Sequence, residues 1–219
     1  MTLEFPRVIE RIANKIAPGR APSFNEAQVI KALEIISTYG TVGRIRLSKE
    51  LELGEGTIRT FLRHASKEEI VDCSRHGIGL SERGKRLFSD LRSKISEGIE
   101  IPDSPLTVGP FNVAVLVKDM AREVRTGVEQ RDTALKAGAS GATTLVFSRS
   151  KLVMPTSKED VFKGISSLHN MLVSKLDPEE NDVIIIGCGE NRRLAEQGAI
   201  MAALRLLNQR TGNSPKVSE

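Results

Sequence analysis

Apolar residues recur at helical spacing in the first part of the chain, in two stripes separated by a segment rich in proline and glycine. The first stripe consists of Phe5, Val8, Ile9, Ile12 and Ile16. A helix outside a compact core either packs back on its own domain or pairs with a partner subunit, and the pattern leaves both arrangements open. The second stripe predicts a helix between Asn25 and Tyr39, which Gly40 ends.

Two shorter helices follow, joined by a turn. Leu47 and Leu51 lie one turn apart and predict a helix over Arg44–Leu51. Gly54 and Gly56 allow the backbone to reverse tightly, and we expect Thr57 to cap a second helix that runs to Ser66. Its apolar side chains, Ile58, Phe61, Leu62 and Ala65, form the buried face.

A small hairpin comes next, with strands at Ile70–Cys73 and Gly77–Leu80 and a basic tip that includes Arg75. Ser81 then caps a helix whose inward residues are Leu87, Phe88, Leu91 and Ile95. This order of elements is typical of a winged helix-turn-helix that binds DNA.

The second helix of this motif directs a polar face outward, with chemistry suited to a major groove. Arg59 and Arg63 can each donate two hydrogen bonds to a guanine edge or contact a phosphate. A merely solvated helix face is the alternative, but the order of the surrounding elements favours DNA contact. The candidate DNA-binding residues are Arg44, Arg46, Thr57, Arg59, Thr60, Arg63 and Arg75.

Proline and glycine recur between residues 97 and 110 and predict a linker to a second domain. Strands are predicted at Phe111–Lys118, Ala142–Phe147, Leu152–Pro155 and Asp182–Gly187. Helices are predicted at Gln130–Ala137, Lys158–Lys175 and Asn191–Asn208. Consecutive apolar residues at Val183–Ile186 place that strand in the middle of the sheet. Helices and antiparallel strands in one small unit predict an α+β sandwich.

The net charge of +4 is unevenly distributed along the 219 residues. Residues 1–96 carry 17 Lys and Arg against 12 Asp and Glu, a charge of +5, whereas residues 97–219 carry 15 against 16, a charge of −1. Cations gain free energy by displacing counterions from phosphates, so the first half has a polyanion as its natural partner.

No apolar run approaches the roughly 20 residues that cross a bilayer. Residues 1–5 lack the basic start of a signal peptide, and we expect a cytoplasmic protein with no membrane partner. Cys73 and Cys188 lie far apart without a CxxC spacing, so we expect buried free thiols. His169 has no suitably spaced ligand partner, and no metal is predicted.

The second domain contains two candidate ligand contacts. The segment Gly187-Cys188-Gly189-Glu190-Asn191 joins a buried strand to a helix, where its amides can hold an anion and the helix end can give the thiol thiolate character. A tight turn is favoured, because a lone Gly-x-Gly lacks the full phosphate-binding pattern.

Arg131 and Asp132 can orient a ligand carboxylate or bind across the domain boundary, but a structural ion pair or simple exposure is favoured. The candidate ligand-binding residues are Arg131, Asp132, Gly187, Gly189, Asn191 and Arg192. Without a catalytic constellation we expect neither an enzyme nor a bound cofactor.

Four stretches of the chain resemble a known family. The helix-turn-helix segment 43–63 looks like that of archaeal two-domain proteins of unknown function. Residues 129–136, 141–145 and 182–186 support the match in the second half. The resemblance spans 25–207 and implies a C-terminal domain similar to the GAD domain, a small two-layer α/β fold also found as an insertion in some tRNA-charging enzymes. It implies architecture and DNA binding, and supplies no reaction.

We therefore expect an α+β protein with a winged helix-turn-helix followed by a small two-layer α/β sandwich. The expected segments are an extension at 1–22, the DNA-binding domain at 23–96, a linker at 97–110, the sandwich at 111–209 and a tail at 210–219. The favoured function is a homodimeric transcriptional regulator that binds double-stranded DNA, with a second domain that senses a small-molecule effector or mediates assembly. The alternative is a docking module for protein or RNA in an RNA-processing or tRNA-related assembly.

Overall fold

The computed structural model describes residues 4–14, 23–156, 161–162 and 164–212. The chain divides into two compact units after Leu91. The elements of the first unit are α1 (Phe5–Ala13), α2 (Glu26–Tyr39), α3 (Arg44–Leu51), α4 (Glu55–Lys67), β1 (Val71–Ser74), β2 (Gly77–Leu80) and α5 (Glu82–Arg92).

Helix α1 packs against α2 and α4 of its own unit. The predicted stripe is buried there, since Phe5, Val8, Ile9 and Ile12 are each 1% exposed or less. Of the two arrangements that the sequence left open, the helix therefore adopts the first, and these four side chains are not a surface for a partner subunit. Ile16 and the predicted helix end at residues 18–22 lie outside the described residues.

A buried histidine joins α4 to the end of α1. His64 is 2% exposed, and its Nδ1 lies 2.8 Å from the carbonyl oxygen of Ile12. The last carbonyl groups of a helix have no partner within that helix. The imidazole N–H satisfies one of them at the C-terminal end of α1.

Ion pairs reinforce the same attachment. Arg11 on α1 donates two hydrogen bonds to the carboxylate of Glu68, from Nε at 3.0 Å and from Nη2 at 2.7 Å. The hydrogen bond from Arg11 is the main reason why the pKa of Glu68 lies below its ordinary value. Arg83 on α5 donates to the Glu4 carboxylate at 2.6 Å and to the Glu68 carbonyl at 2.8 Å.

The turn between α3 and α4 differs from its prediction. Glu52 takes the left-handed conformation, with φ of 52°, whereas Gly54 has an ordinary φ of −62°. Gly54 precedes α4 without a side-chain cap, so the predicted capping role of Thr57 is wrong. The helix begins two residues earlier than expected, and Thr57 lies within its first turn.

The predicted hairpin is present. Strands β1 and β2 pair in antiparallel fashion from Val71 opposite Leu80 to Ser74 opposite Gly77. The tip is therefore a two-residue turn of Arg75 and His76. Ser81 accepts a hydrogen bond from the backbone N–H of Gly84 at 2.9 Å and caps α5 as expected.

The second unit contains an antiparallel sheet. Its elements are β3 (Ile99–Ile101), β4 (Phe111–Val117), a short 3-10 helix (Ala121–Glu123), α6 (Val128–Lys136), β5 (Gly141–Ser148), β6 (Lys151–Val153), α7 (Ser166–Leu176), β7 (Val183–Gly189) and α8 (Arg192–Gly212). The strand order is β3-β4-β7-β5-β6. Strand β7, which carries the apolar run, lies in the centre, and its predicted position is confirmed.

Helices cover this sheet on both faces. Helices α6 and α8 pack against β5 and β7 on one face. Alternate residues of β7, Ile184 and Ile186, belong to an apolar cluster with Leu168 and Leu172 of α7. The α+β class is confirmed, but helix α7 forms a third layer, on the face opposite α6 and α8, that the predicted two-layer sandwich lacks.

The predicted linker contains an edge strand. Ile99–Ile101 pairs with β4, and Ile95 forms a β-bridge to Val117. Helix α5 ends at Arg92, so Ile95 does not extend its inward face as predicted. The alternation of Ile99, Glu100 and Ile101 is the available signal for this strand, which the sequence analysis does not predict.

Two other predicted boundaries shift. Helix α7 begins at Ser166, later than expected, and residues 158–160 and 163 of the predicted segment lie outside the described part. The predicted tail begins inside α8, which continues to Gly212, and residues 213–219 are also outside it.

We expect Glu68→Gln to lower the free energy of unfolding by about 0.5–1 kcal/mol at neutral pH. The Arg11 hydrogen bond lowers the folded-state pKa of Glu68, so this contribution is fully present above the unfolded-state pKa of about 4.3. It is lost as the pH falls through the lower folded-state pKa. Urea unfolding of both proteins over a series of pH values measures the difference.

Glu10→Gln is the matched control, because Glu10 is an exposed residue of α1 whose carboxylate has no ionic partner in the described part of the chain. Its effect on stability should be small at every pH. A stability difference for Glu68→Gln that does not change with pH contradicts the assignment.

We expect Gly84→Ala to destabilise the first unit by about 1–3 kcal/mol, as overpacking does. A Cβ at Gly84 overlaps the carbonyl oxygen of Ile70, and backbone atoms must move to admit it. The same methyl group at Gly56 meets no atom within 4 Å, so Gly56→Ala should stabilise α4 by about 0.5–1 kcal/mol. Urea unfolding compares the two variants, and equal effects contradict the packing argument.

Candidate nucleic-acid interface

Three arginines from different elements of the first unit line one open groove. Arg44 begins α3, Arg59 lies on α4, and Arg75 lies at the hairpin tip. The groove has a volume of about 590 Å³. Its other lining residues are Gly43, Leu62, Cys73, Ser74, His76, Gly77 and Ile78. None of these lining residues is acidic, so the groove offers cationic groups to an anionic partner.

The outer face of α4 carries Gly56, Arg59 and Arg63, which lie three or four residues apart. Arg59 Nη2 lies 3.7 Å from the Glu55 carboxylate one turn earlier, and both side chains are about two-thirds exposed. Such an exposed pair is weak and leaves the guanidinium available to another anion. Arg63 is exposed, with no ion pair among the described residues.

Arg46 is directed to another side of α3 than Arg44, because two residues differ by about 200° around a helix. Its guanidinium carbon lies 3.6 Å from the centre of the Tyr39 ring, and its Nε lies 3.7 Å from the Glu50 carboxylate. The stacked ring and the carboxylate hold this cation beside the groove, whose lining does not include it.

The hairpin tip presents two exposed side chains. Arg75 Nε donates to His76 Nε2 at 3.1 Å. The tip backbone is held by Ser74, whose Oγ accepts from the His76 N–H at 3.1 Å and donates to the Gly77 carbonyl at 3.2 Å. The tip is thus a defined turn that carries Arg75 outward.

Thr57 and Thr60 are less exposed than predicted. Both are half-buried, because they lie on the side of α4 next to buried Phe61. The Thr60 hydroxyl donates to the Gly56 carbonyl at 3.1 Å within its own helix. The arginines are therefore the more accessible part of the predicted reading face.

The starts of α3 and α4 are open. Their capping residues are Gly43 and Gly54, and neither helix has a side-chain cap. A Cβ at Gly43, Gly54 or Gly56 meets no atom within 4 Å, so the packing of the chain does not require glycine at these positions. The first N–H groups of both helices are accessible to an anion.

Sequence reasoning missed part of the groove. Cys73 was expected to be buried but is exposed, because Val71 is the one buried residue of β1. Ser74 and Leu62 also line the groove, although Leu62 is largely buried. Ser74 and Cys73 precede Arg75 in the predicted hairpin, and this proximity was the signal that could have predicted their place in the groove lining.

The polar and charged ligand candidates of the second unit have partners of their own. Arg131 pairs with Asp132 at 3.3 Å on the exposed face of α6. Arg192 pairs with Glu100 of β3 at 2.5 Å. Asn191 accepts a hydrogen bond from the Leu194 N–H at 2.9 Å and caps α8. A ligand at these residues would have to compete with these contacts.

The glycines of the Gly-x-Gly segment allow β7 and α8 to approach closely. A Cβ at Gly187 lies 2.7 Å from the Ala199 nitrogen, and one at Gly189 lies 2.7 Å from the Ala195 nitrogen. Cys188 points to the opposite face of the sheet, into the cluster that contains α7. Cys188 is buried, as expected, and burial raises the pKa of its thiol, which disfavours the thiolate.

Two further findings concern metals and membranes. Within the described ranges, no group of three or more His, Cys, Asp and Glu side chains is arranged to hold a metal ion. In the same ranges, no helix combines the length and the apolar character needed to span a membrane.

Both halves of the chain match models of known families. Residues 34–86 match a model described as "PH0730-like, N-terminal domain", and residues 108–206 match "Domain of unknown function (DUF4443)". No curated protein matches the sequence.

A solved structure is similar over most of the chain. It is "Hypothetical protein PH0730 from Pyrococcus horikoshii OT3", with 28% sequence identity and a TM-score of 0.69. The match covers 85% of this chain and 95% of that one. The similarity of the second unit to the GAD domain stays a prediction. These matches are consistent with a two-domain family of unknown function.

Proposed function

We propose that the first unit binds double-stranded DNA and that the chain regulates transcription. The observation that carries the proposal is the groove in which α3, α4 and the hairpin tip each contribute an arginine, with no acid in its lining. One cation on one helix is a common surface feature. Cations from three separate elements around one concave surface suit a polyanion.

The exposed chemistry of α4 suits the major groove of DNA. The N-terminal residues of a recognition helix contact base edges, and in this chain that part of the helix carries Gly56 and Arg59, with Arg63 one turn further along the same face. An arginine can donate two hydrogen bonds to one guanine, which discriminates between bases by about 1–3 kcal/mol. Arg75 at the hairpin tip then contacts a phosphate or the adjacent minor groove.

The open starts of α3 and α4 provide contacts that do not depend on sequence. Backbone N–H groups at a helix start bind phosphate oxygens and fix the position of the protein on the duplex. The glycines at these starts let a phosphate come close to the backbone. The nearly neutral second unit has the complementary role of sensing an effector or mediating assembly.

We expect Arg44→Ala, Arg59→Ala and Arg75→Ala each to weaken binding to a duplex selected from a random library. Each phosphate contact that is lost should make the slope of log K against log salt less negative by about 1. If Arg59 hydrogen-bonds to a guanine, the Arg59→Ala variant should also lose about 1–3 kcal/mol of its preference for guanine at one base pair of the duplex. Fluorescence anisotropy across salt concentrations measures both quantities.

Lys67→Ala is the control, because it removes the same charge from the C-terminal end of α4, outside the groove lining. Affinity and salt slope close to those of the wild type for all three groove variants contradict the proposal. Competition with structured RNA gives a further outcome: stronger binding to RNA than to any duplex favours the RNA-docking alternative.

Gly56→Ala separates binding from stability. The added methyl group should stabilise α4 by about 0.5–1 kcal/mol and yet lower the affinity for DNA, because it stands between the helix start and the partner. Urea unfolding and anisotropy on the same preparation test the two effects. A variant that is more stable and binds DNA as tightly as the wild type contradicts a close approach at this position.

A further inference from the structure

Helix α6 buries a polar residue and exposes apolar ones, which is the reverse of the usual distribution on a surface helix. The helix buries Gln130, which is 2% exposed, together with the small residue Ala134. It leaves Val128 and Leu135 exposed, at 44% and 46%. A surface helix normally turns its large apolar residues inward. The two side chains therefore form an apolar pair that the described residues of this unit leave about half exposed.

Six residues of α6 are exposed. Four of them, Val128, Arg131, Asp132 and Leu135, form an ordered pattern around the helix, while Glu129 and Lys136 lie farther round on the Asp132 side. A helix turns by about 100° per residue, so Val128 and Leu135, seven residues apart, lie almost in one line. That line faces away from Gln130 and Ala134. By the same geometry, Arg131 lies on one side of the line and Asp132 on the other, about halfway along it.

We propose that this face is the contact between two copies of the chain, packed around a two-fold axis parallel to α6. Val128 then meets Val128 of the second copy, and Leu135 meets Leu135. The axis places Arg131 of each copy opposite Asp132 of the other, on both sides of the apolar line. Opposite charges in this position determine partner choice and orientation in parallel helix pairs.

The charges select the parallel arrangement. A two-fold axis perpendicular to the helices makes them antiparallel and brings each side against the same side of the second copy. Arg131 would then face Arg131, and Asp132 would face Asp132, which is repulsive. Within one chain Arg131 and Asp132 already form an ion pair, but the two side chains are 54% and 50% exposed, and such a pair is weak. Each side chain can therefore leave this partner and pair with the opposite charge of the second copy.

The exposed face of α6 is complementary to itself, which favours a second copy of the chain over an unrelated protein as its binding partner. One short surface contains an apolar line together with both signs of charge in positions that its own two-fold image satisfies. A nine-residue helix is only about 13 Å long, so the contact is small and the dimer should dissociate reversibly. The inference does not depend on DNA binding and supplies the dimer contact that buried α1 does not.

The test is sedimentation equilibrium of the full chain without DNA, over a wide range of protein concentrations. We expect Arg131→Asp and Asp132→Arg each to raise the dimer dissociation constant by about tenfold or more, because each brings like charges together twice. The double variant carrying both changes should restore dimerisation. Dimerisation unchanged in either single variant, or not restored in the double variant, overturns the arrangement.

Apolar substitutions give an independent measurement. Val128→Ser with Leu135→Ser should shift the chain to monomer, whereas Ile45→Ser should not, although Ile45 is an exposed apolar residue of the first unit at 64%. Circular dichroism confirms that each variant is folded. A wild-type chain that stays monomeric at every concentration overturns the inference, and this failure leaves the DNA measurements unaffected.

Discussion

The burial of one face of α4 is the constraint on which the organisation of the first unit depends. Ile58, Phe61 and Ala65 are almost fully buried, and His64 completes that face by donating to the Ile12 carbonyl of α1. Leaving a buried polar group unpaired costs about 1–3 kcal/mol, so this hydrogen bond makes α1 part of the domain. Because the helix buries this face, Arg59 and Arg63 point to solvent. The candidate reading surface is therefore a consequence of the packing.

Periodic patterns predicted the elements well because each pattern records which side of an element is buried. Leu47 and Leu51 identified α3 within its observed bounds, and the apolar run at Val183–Ile186 identified the central strand. The residue that takes the left-handed conformation in the turn between α3 and α4 could not be predicted from such a pattern. Glycine normally occupies that conformation, yet Glu52 adopts it while Gly54 does not. The local sequence predicts each arginine separately, but the convergence of Arg44, Arg59 and Arg75 on one groove depends on tertiary structure.

The second unit shows how a motif can resemble a site for structural reasons. Gly187 and Gly189 suggested an anion loop, but their small size is needed where α8 contacts β7. The edge strand β3 was hidden because it is only three residues long and lies between Gly98 and Pro102. The local sequence does not show which part of the backbone packs against a glycine, so this structural role could not be predicted. It also gave no reason to expect that α1 would be buried while α6 exposes Val128 and Leu135.

The most direct test of the central claim is the amide NMR spectrum of the isotope-labelled chain during titration with a selected DNA duplex. The largest shift changes should fall on three segments, Gly43 to Arg46, Gly54 to Arg63, and Ser74 to Gly77, which come together around the groove. The glycine amides report the approach of phosphate most directly. Changes confined to the second unit, or to α1 and α5, would contradict the account.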